Sequence, residues 1–129
     1  MLDWVPSAPY TAEQLLEVLR ILRDPENGCP WDKVQTHASI RKNFLEETCE
    51  VLEAIDADDP AMLREELGDA LFILCKIAQM SGVDPEDALH RACDKYQGRF
   101  RRVADAAGRP LNTYTEAEKI ALWEQAKEN

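Results

Sequence analysis

The chain has 129 residues, 45 % of them hydrophobic and 31 % charged, with a formal net charge of −10. That length suits one domain with one core, and the charge disfavours nonspecific binding to a nucleic acid backbone or an anionic membrane. No apolar run approaches the roughly 18 residues of a transmembrane helix, and the opening MLDWVPSAPY has neither the basic nor the apolar part of a secretory signal; the expectation is a cytoplasmic protein.

Helix signals dominate in chain order. After an N-terminal extension, residues 1–10, Thr11-x-x-Gln14 forms a capping box before Leu15, Leu16, Leu19 and Leu22, which recur at helical spacing. The breakers Asp24-Pro25-Glu26-Asn27-Gly28 end that helix. CPWDKVQTH reads as an ordered loop in which Trp31 packs, with Thr36 as N-cap of a second helix from about His37 to Ile55. Asp59-Pro60 is an N-cap and first-turn proline, opening a third helix that ends near Ser81-Gly82. Asp84-Pro85 repeats the device for a fourth helix, to about Ala106, and Thr115-x-x-Glu118 caps a short last helix carrying Leu122 and Trp123. The prediction is an all-α single domain spanning 1–129, a helical bundle of four main helices plus a short C-terminal one. The unequal amphipathicity of its helices suggests a dimer that buries further apolar surface. The cysteines, Cys29, Cys49, Cys75 and Cys93, form no C-x-x-C pair, and with only His37 and His90 they give little support to zinc. They read as plain thiols, Cys49 and Cys93 toward apolar helix faces.

The third helix holds an anomaly. At about 100° per residue, Glu66 and Asp69 share a face with Met62, Ala70, Ile73, Ile77 and Met80. A carboxylate on an apolar face must be neutralised, paired with a cation or bound to a metal, because an unpaired buried charge costs several kcal/mol or more. On the second helix, Glu47 sits at the margin of the apolar arc made by Phe44, Leu45, Thr48, Val51, Leu52 and Ile55, with Glu50 just beyond it. Residues at i and i+3 are neighbours on a helix, so two antiparallel helices would face two carboxylates at two. Four hard oxygen ligands without histidine or thiolate match Mg²⁺ or Mn²⁺, and the lack of Glu-x-x-His argues against a di-iron bundle. Salt bridges to arginine or lysine are the alternative for Glu66 and Asp69.

E-E-x-x-E at Glu46, Glu47 and Glu50, followed after fifteen residues by E-x-x-D at Glu66 and Asp69, resembles the signature of the MazG family of nucleoside triphosphate pyrophosphohydrolases. GCPWDKVQTH (28–37), DPEDALHRACDKYQGRFRRV (84–103) and ALWEQAK (121–127) resemble further segments of that family in the same order. The resemblance implies an all-α, dimeric enzyme that uses Mg²⁺, with Glu47, Glu50, Glu66 and Asp69 as metal ligands. It further implies Lys95 and Arg99 on the phosphates and Trp123 beside the nucleotide. Cys49 stands where many members have an aromatic residue, and this chain is one unit where some members have two in tandem.

The residues of the fourth helix agree: Arg91, Lys95, Arg99 and Arg102 form a basic stripe beside an apolar face of Leu89, Ala92, Tyr96, Phe100 and Val103. No G-x-x-x-x-G-K-[ST] or G-x-S-x-G motif occurs, which sets aside P-loop and acyl-transfer chemistry. The expected reaction is hydrolysis of a nucleoside triphosphate to monophosphate and pyrophosphate, with Glu46 or Glu50 orienting the attacking water. The rivals are hydrolysis of another phosphoanhydride, such as a phosphoribosyl-nucleotide or a single dNTP, and a noncatalytic acidic module.

Overall fold

A computed structural model describes residues 10–128, so the N-terminal extension lies outside the described residues except for Tyr10. The order is α1 (Ala12–Leu22), α2 (His37–Asp56), α3 (Pro60–Met80), α4 (Pro85–Ala106), a 3-10 turn (Leu111–Thr113) and α5 (Glu116–Glu128). All five expected helices are present, and no strand occurs among the described residues.

The helix starts follow the side chains that satisfy their first amides. Thr11 Oγ1 accepts from the Gln14 amide at 3.2 Å while Gln14 Oε1 accepts from the Thr11 amide at 2.9 Å. Thr36 and Ser39 repeat that exchange at α2, as do Thr115 and Glu118 at α5. Asp59 Oδ1 takes the Ala61 and Met62 amides, each at 3.1 Å, and Asp84 Oδ1 takes the Glu86 amide at 2.9 Å.

The ends of α2 and α3 share one device. Asp58 at φ 51° and Gly82 at φ 66° are left-handed. At each, its own amide and the next one turn back onto carbonyls of the last turn, Asp58 to Ile55 and Asp59 to Ala54, Gly82 to Gln79 and Val83 to Ala78. At Asp58 the chain reverses within three residues, so α2 and α3 form a helical hairpin. Between α1 and α2, a side chain on Gly28 would meet the Asp24 and Leu22 carbonyl oxygens at 2.4 Å, so that turn demands glycine.

The chain divides into two compact units at Glu86/Asp87. In the first, α3 packs on α2 and on α1, with Leu19, Ile40 and Ala54 buried. In the second, Val103 and Ala126 are buried, and Arg102 Nε donates to the Ala126 carbonyl at 2.9 Å.

Several apolar side chains expected inside lie in the open. Leu45, Leu52 and Ile55 of the α2 arc are more than half exposed, and α3 buries no residue fully. Trp31, expected to pack in its loop, is 77 % exposed. The loop itself is held by polar bonds: Arg23 donates to the Asp32 and Gln35 carbonyls, and Lys76 of α3 donates to Asp32 at 2.7 Å. All four cysteines are free thiols, and Cys49 and Cys93 are exposed rather than core residues. Local spacing marks a helix face but does not say whether this chain alone covers it.

Candidate active site

The α2–α3 hairpin brings the predicted carboxylates together. Oxygens of Glu47, Glu66 and Asp69 all lie within 4.8 Å of one another. Glu50, one turn along α2 from Glu47, has its carboxylate in hydrogen-bond reach of both Glu47 and Glu66. Among the described residues none of the four forms an ion pair with lysine, arginine or histidine. The salt-bridge alternative for Glu66 and Asp69 is therefore not realised.

The electrostatic consequence is direct. Partial burial pushes the Glu47 carboxyl above its ordinary range, and the charges of Glu50 and Asp69, contact with Glu50 and the charge of Glu46 push it further. Glu66 is raised by burial first, then by its contact with Glu50 and by the charges of Glu50, Glu65 and Asp69. Glu47 Oε2 and Glu66 Oε2 are buried atoms with no hydrogen-bond partner. Buried polar atoms are normally satisfied, so two orphaned carboxylate oxygens facing further carboxylates call for a cation. An all-oxygen set without nitrogen or sulfur fits a hard divalent ion such as Mg²⁺ or Mn²⁺. Glu46 is exposed, lies outside this cluster, and among the described residues pairs with Lys42, at 3.8 Å.

The basic stripe of α4 separates into two kinds of residue. Arg91 is bound to Asp87 at 2.8 Å and Arg102 to the Ala126 carbonyl, so both are committed within the chain. Lys95 and Arg99 form no ion pair among the described residues and lie over aromatic rings instead. Lys95 Nζ is 5.3 Å from the Tyr96 ring centre, and the Arg99 guanidinium is 5.5 Å from Tyr96 and 5.8 Å from Trp123. Trp123 stacks on Tyr96 at 5.9 Å and 11°, and tilts against Phe100 at 5.1 Å and 47°. A cavity of about 310 Å³ opens beside it, lined by Phe100, Val103, Leu111, Lys119, Ile120 and Trp123.

Sequence reasoning placed Tyr96 and Phe100 on an apolar face and missed their part in this cluster. The available signal was two aromatics at i and i+4, each directly after one of the cations Lys95 and Arg99.

Residues 35–104 match the family model described as the MazG nucleotide pyrophosphohydrolase domain. A nucleoside triphosphate pyrophosphohydrolase of Escherichia coli K12 is 41 % identical over 115 residues, covering 89 % of this chain and 44 % of its own length. A nucleoside triphosphate pyrophosphohydrolase/pyrophosphatase MazG of Thermotoga maritima is 35 % identical over 119 residues, covering 89 % of this chain and 46 % of its own. The chain thus spans less than half the length of these curated relatives. The crystal structure of a mazG-related protein from Thermotoga maritima aligns with a TM-score of 0.59 at 28 % identity, covering 91 % of this chain and 99 % of that one. With the family model matching more than half of its residues, and with the α2–α3 carboxylates inside the matched stretch, the chain belongs to the MazG nucleotide pyrophosphohydrolase domain family.

Proposed function

We propose that the chain hydrolyses a nucleoside triphosphate between its α- and β-phosphates, giving the monophosphate and pyrophosphate with the help of Mg²⁺ or Mn²⁺. The observation that carries this is the cluster of Glu47, Glu66 and Asp69, with Glu50 in contact with it and two buried oxygens left without a hydrogen-bond partner. Those four residues would hold the divalent ion. The chemistry it supplies when bound is Lewis-acid neutralisation of charge on the phosphates. Lys95 and Arg99, without a carboxylate partner among the described residues, neutralise the pyrophosphate that leaves. Glu46 or Glu50 orients the attacking water and accepts its proton: Glu46 is uncommitted apart from Lys42, and Glu50 is central to the cluster. Trp123, with the apolar cavity at its edge, offers a face for the base. That wall is almost wholly carbon, which favours recognition by shape and stacking over hydrogen-bond readout of one base.

The family match runs from the loop before α2 well into α4, across the Glu86/Asp87 boundary, which supports reading the chain as one functional domain. We also infer that it works as a homodimer, since so many large apolar side chains are exposed in the single chain. No helix among the described residues is long and apolar enough to cross a membrane.

The test is pyrophosphate release from a panel of NTPs, dNTPs and oxidised nucleotides, with Mg²⁺ or with EDTA, for the wild type and Glu50→Gln. Metal-dependent release that the substitution abolishes is the expected result, and the panel ranks the substrates. No release from any of them by folded protein would sink the reading.

A further inference from the structure

The loop before α2 presents a tryptophan that is left uncovered. Trp31 is 77 % exposed, and among the described residues its ring packs on no other ring. A single exposed hydrophobic side chain needs no explanation in itself. This one stands on a frame held from several directions. Gln35 Nε2 donates to the Trp31 carbonyl at 3.2 Å, the Lys33 amide donates to the Cys29 carbonyl at 3.0 Å, and Arg23 Nη1 donates to the Asp32 carbonyl at 2.7 Å. The next residue, Asp32, is tied to Lys76 of α3 at 2.7 Å, and both of those side chains are mostly buried. The chain thus fixes the backbone under Trp31 and leaves the ring itself in water.

That frame has a definite place relative to the carboxylates, within the same compact unit. Lys76 follows Asp69 by seven residues, two turns along the same face of α3, a rise of about 10 Å. Ile73 lies between them, four residues after Asp69, and on α2 Asn43 lies one turn before Glu47 on the same side. From Glu47 and Asp69 toward Trp31 the face therefore offers an uncharged amide and an apolar side chain, and the carboxylate at its end, Asp32, is neutralised by Lys76. In the other direction the face runs into the hairpin turn, where Asp56, Asp58 and Asp59 crowd together and no aromatic side chain stands. A substrate cleaved at its α-phosphorus has its ribose and base directly beyond the phosphates, and together these extend roughly as far as two helix turns.

We propose that Trp31 is a base-binding residue of the substrate site, its indole face stacking on the base of a nucleoside triphosphate whose phosphates lie at the carboxylate cluster. The proposal rests on the pyrophosphohydrolase reading and adds to the face offered by Trp123 a base contact on the unit that carries the carboxylates. Three features select a base as the occupant. The indole is a broad π-face on a backbone already fixed, so little ordering cost is left for binding. The stretch between it and the carboxylates carries no unpaired charge and suits an uncharged ribose. In a chain of net charge −10, an anionic substrate also gains from a face that needs no charge and avoids the acidic turn at the other end. Stacking tolerates any base, because every base has a π-face. Trp31 would therefore strengthen binding of nucleoside triphosphates in general and discriminate against phosphate chains that carry no base.

The experiment follows monophosphate formation from the best nucleoside triphosphate of the panel, with Mg²⁺, for the wild type, Trp31→Ala and Trp31→Phe. Inorganic tripolyphosphate, which has the phosphates without the base, serves as a competing inhibitor. Trp31→Ala should raise KM roughly 10-fold or more, as for loss of one base–aromatic stack. The change in kcat should be less than about twofold, the pattern of a contact made equally in the ground and transition states. Inhibition by tripolyphosphate should stay within about twofold of wild type, and Trp31→Phe should recover most of the lost affinity, because it keeps a ring. Thermal midpoints of the three proteins should coincide, since an exposed ring contributes little to the fold. An active wild type with a KM unmoved by Trp31→Ala would overturn this assignment alone. So would a rise in KM matched by an equal loss of tripolyphosphate inhibition, which would place the effect at the phosphates. A Trp31→Phe protein no better than Trp31→Ala, or a shifted thermal midpoint, would show a structural role and overturn it equally. A wild type that forms no monophosphate from any nucleotide of the panel would overturn the pyrophosphohydrolase reading and this assignment together.

Discussion

Two acidic sites that share helix α3 are treated in opposite ways. Asp32, in the loop before α2, meets Lys76 of α3 at 2.7 Å, and both side chains are mostly buried. Burial pushes the Asp32 carboxyl up, but hydrogen bonds from Lys76 and the Cys29 thiol, with the charges of Lys76 and Arg23, outweigh it and hold the group below its ordinary range. Ten residues back along α3, about 15 Å, Glu66 and its three neighbours pair with no cation among the described residues, and Glu47 and Glu66 are displaced the other way. Where a carboxylate serves the fold, the chain completes its charge; where it is left incomplete, an external partner is implied. The basic side chains show the same contrast, Arg91 and Arg102 being committed within the chain and Lys95 and Arg99 not.

The sharpest break of that comparison is Asp69→Asn. Pyrophosphate release with Mg²⁺ should fall on the order of 10³-fold, as for loss of a group that holds the catalytic ion. Metal-free unfolding by urea should show no loss of stability, because one of four mutually repelling charges is gone. Activity kept within tenfold would remove Asp69 from the site.

Lys76→Met asks the converse. It leaves Asp32 without its cation in a mostly buried place, so the urea unfolding free energy should drop by roughly 2–3 kcal/mol. Turnover per folded molecule should stay near wild type. A stability change under about 0.5 kcal/mol, the size of an exposed pair, would mean that the pair does not hold the loop.

On α4 the expected difference is smaller. Arg99→Ala should lower kcat/KM about tenfold or somewhat more, through lost electrostatic stabilisation of phosphate. Arg91→Ala, whose side chain is exposed and already paired with Asp87, should change it by less than twofold. Equal losses at the two positions would mean that a general basic field acts, with no specific role for Arg99.

Much of this contrast was legible beforehand, and what was missed has a common physical origin. Thr11, Thr36, Asp59 and Asp84 announce helix starts because a cap is a local bond between near neighbours in sequence. The two i, i+3 carboxylate pairs were legible for the same reason, and their meeting needed only a short turn between consecutive helices. The Asp32–Lys76 pair joins residues 44 apart, which no local pattern encodes, so Asp32 read as a loop residue. Exposure failed for Trp31, Leu45 and Leu52 because periodicity gives the face of an element and not its cover. Tyr96 and Phe100 were placed on the right face of α4, but their contact with Trp123 depends on where α5 returns, beyond the Gly108–Pro110 break.

The smallest effect has the clearest sign. Glu47 and Glu66 have carboxyls raised in the folded chain above the ordinary value of 4.5, so over a window upward from that value the folded state binds more protons than the unfolded one. Their contribution is fully favourable below the ordinary value and is lost as pH rises through the raised folded values. Asp32, Glu17 and Glu118, all lowered, behave oppositely. Their stabilisation is complete above the ordinary carboxylate range and is lost as pH falls through the lowered values. As pH falls from neutrality toward the ordinary carboxylate range, Glu47 and Glu66 take up protons in the folded chain ahead of the unfolded one, so the metal-free protein should become slightly more stable on mild acidification, with the urea midpoint rising before acid unfolding sets in. Saturating Mg²⁺ should abolish or invert that rise, because the ion replaces the protons and is displaced by them as pH falls. Asp69→Asn should flatten it. A metal-free midpoint that falls steadily from pH 7 to 5 would mean that these carboxylates are neutralised within the chain after all, and that the two acidic sites do not differ in kind.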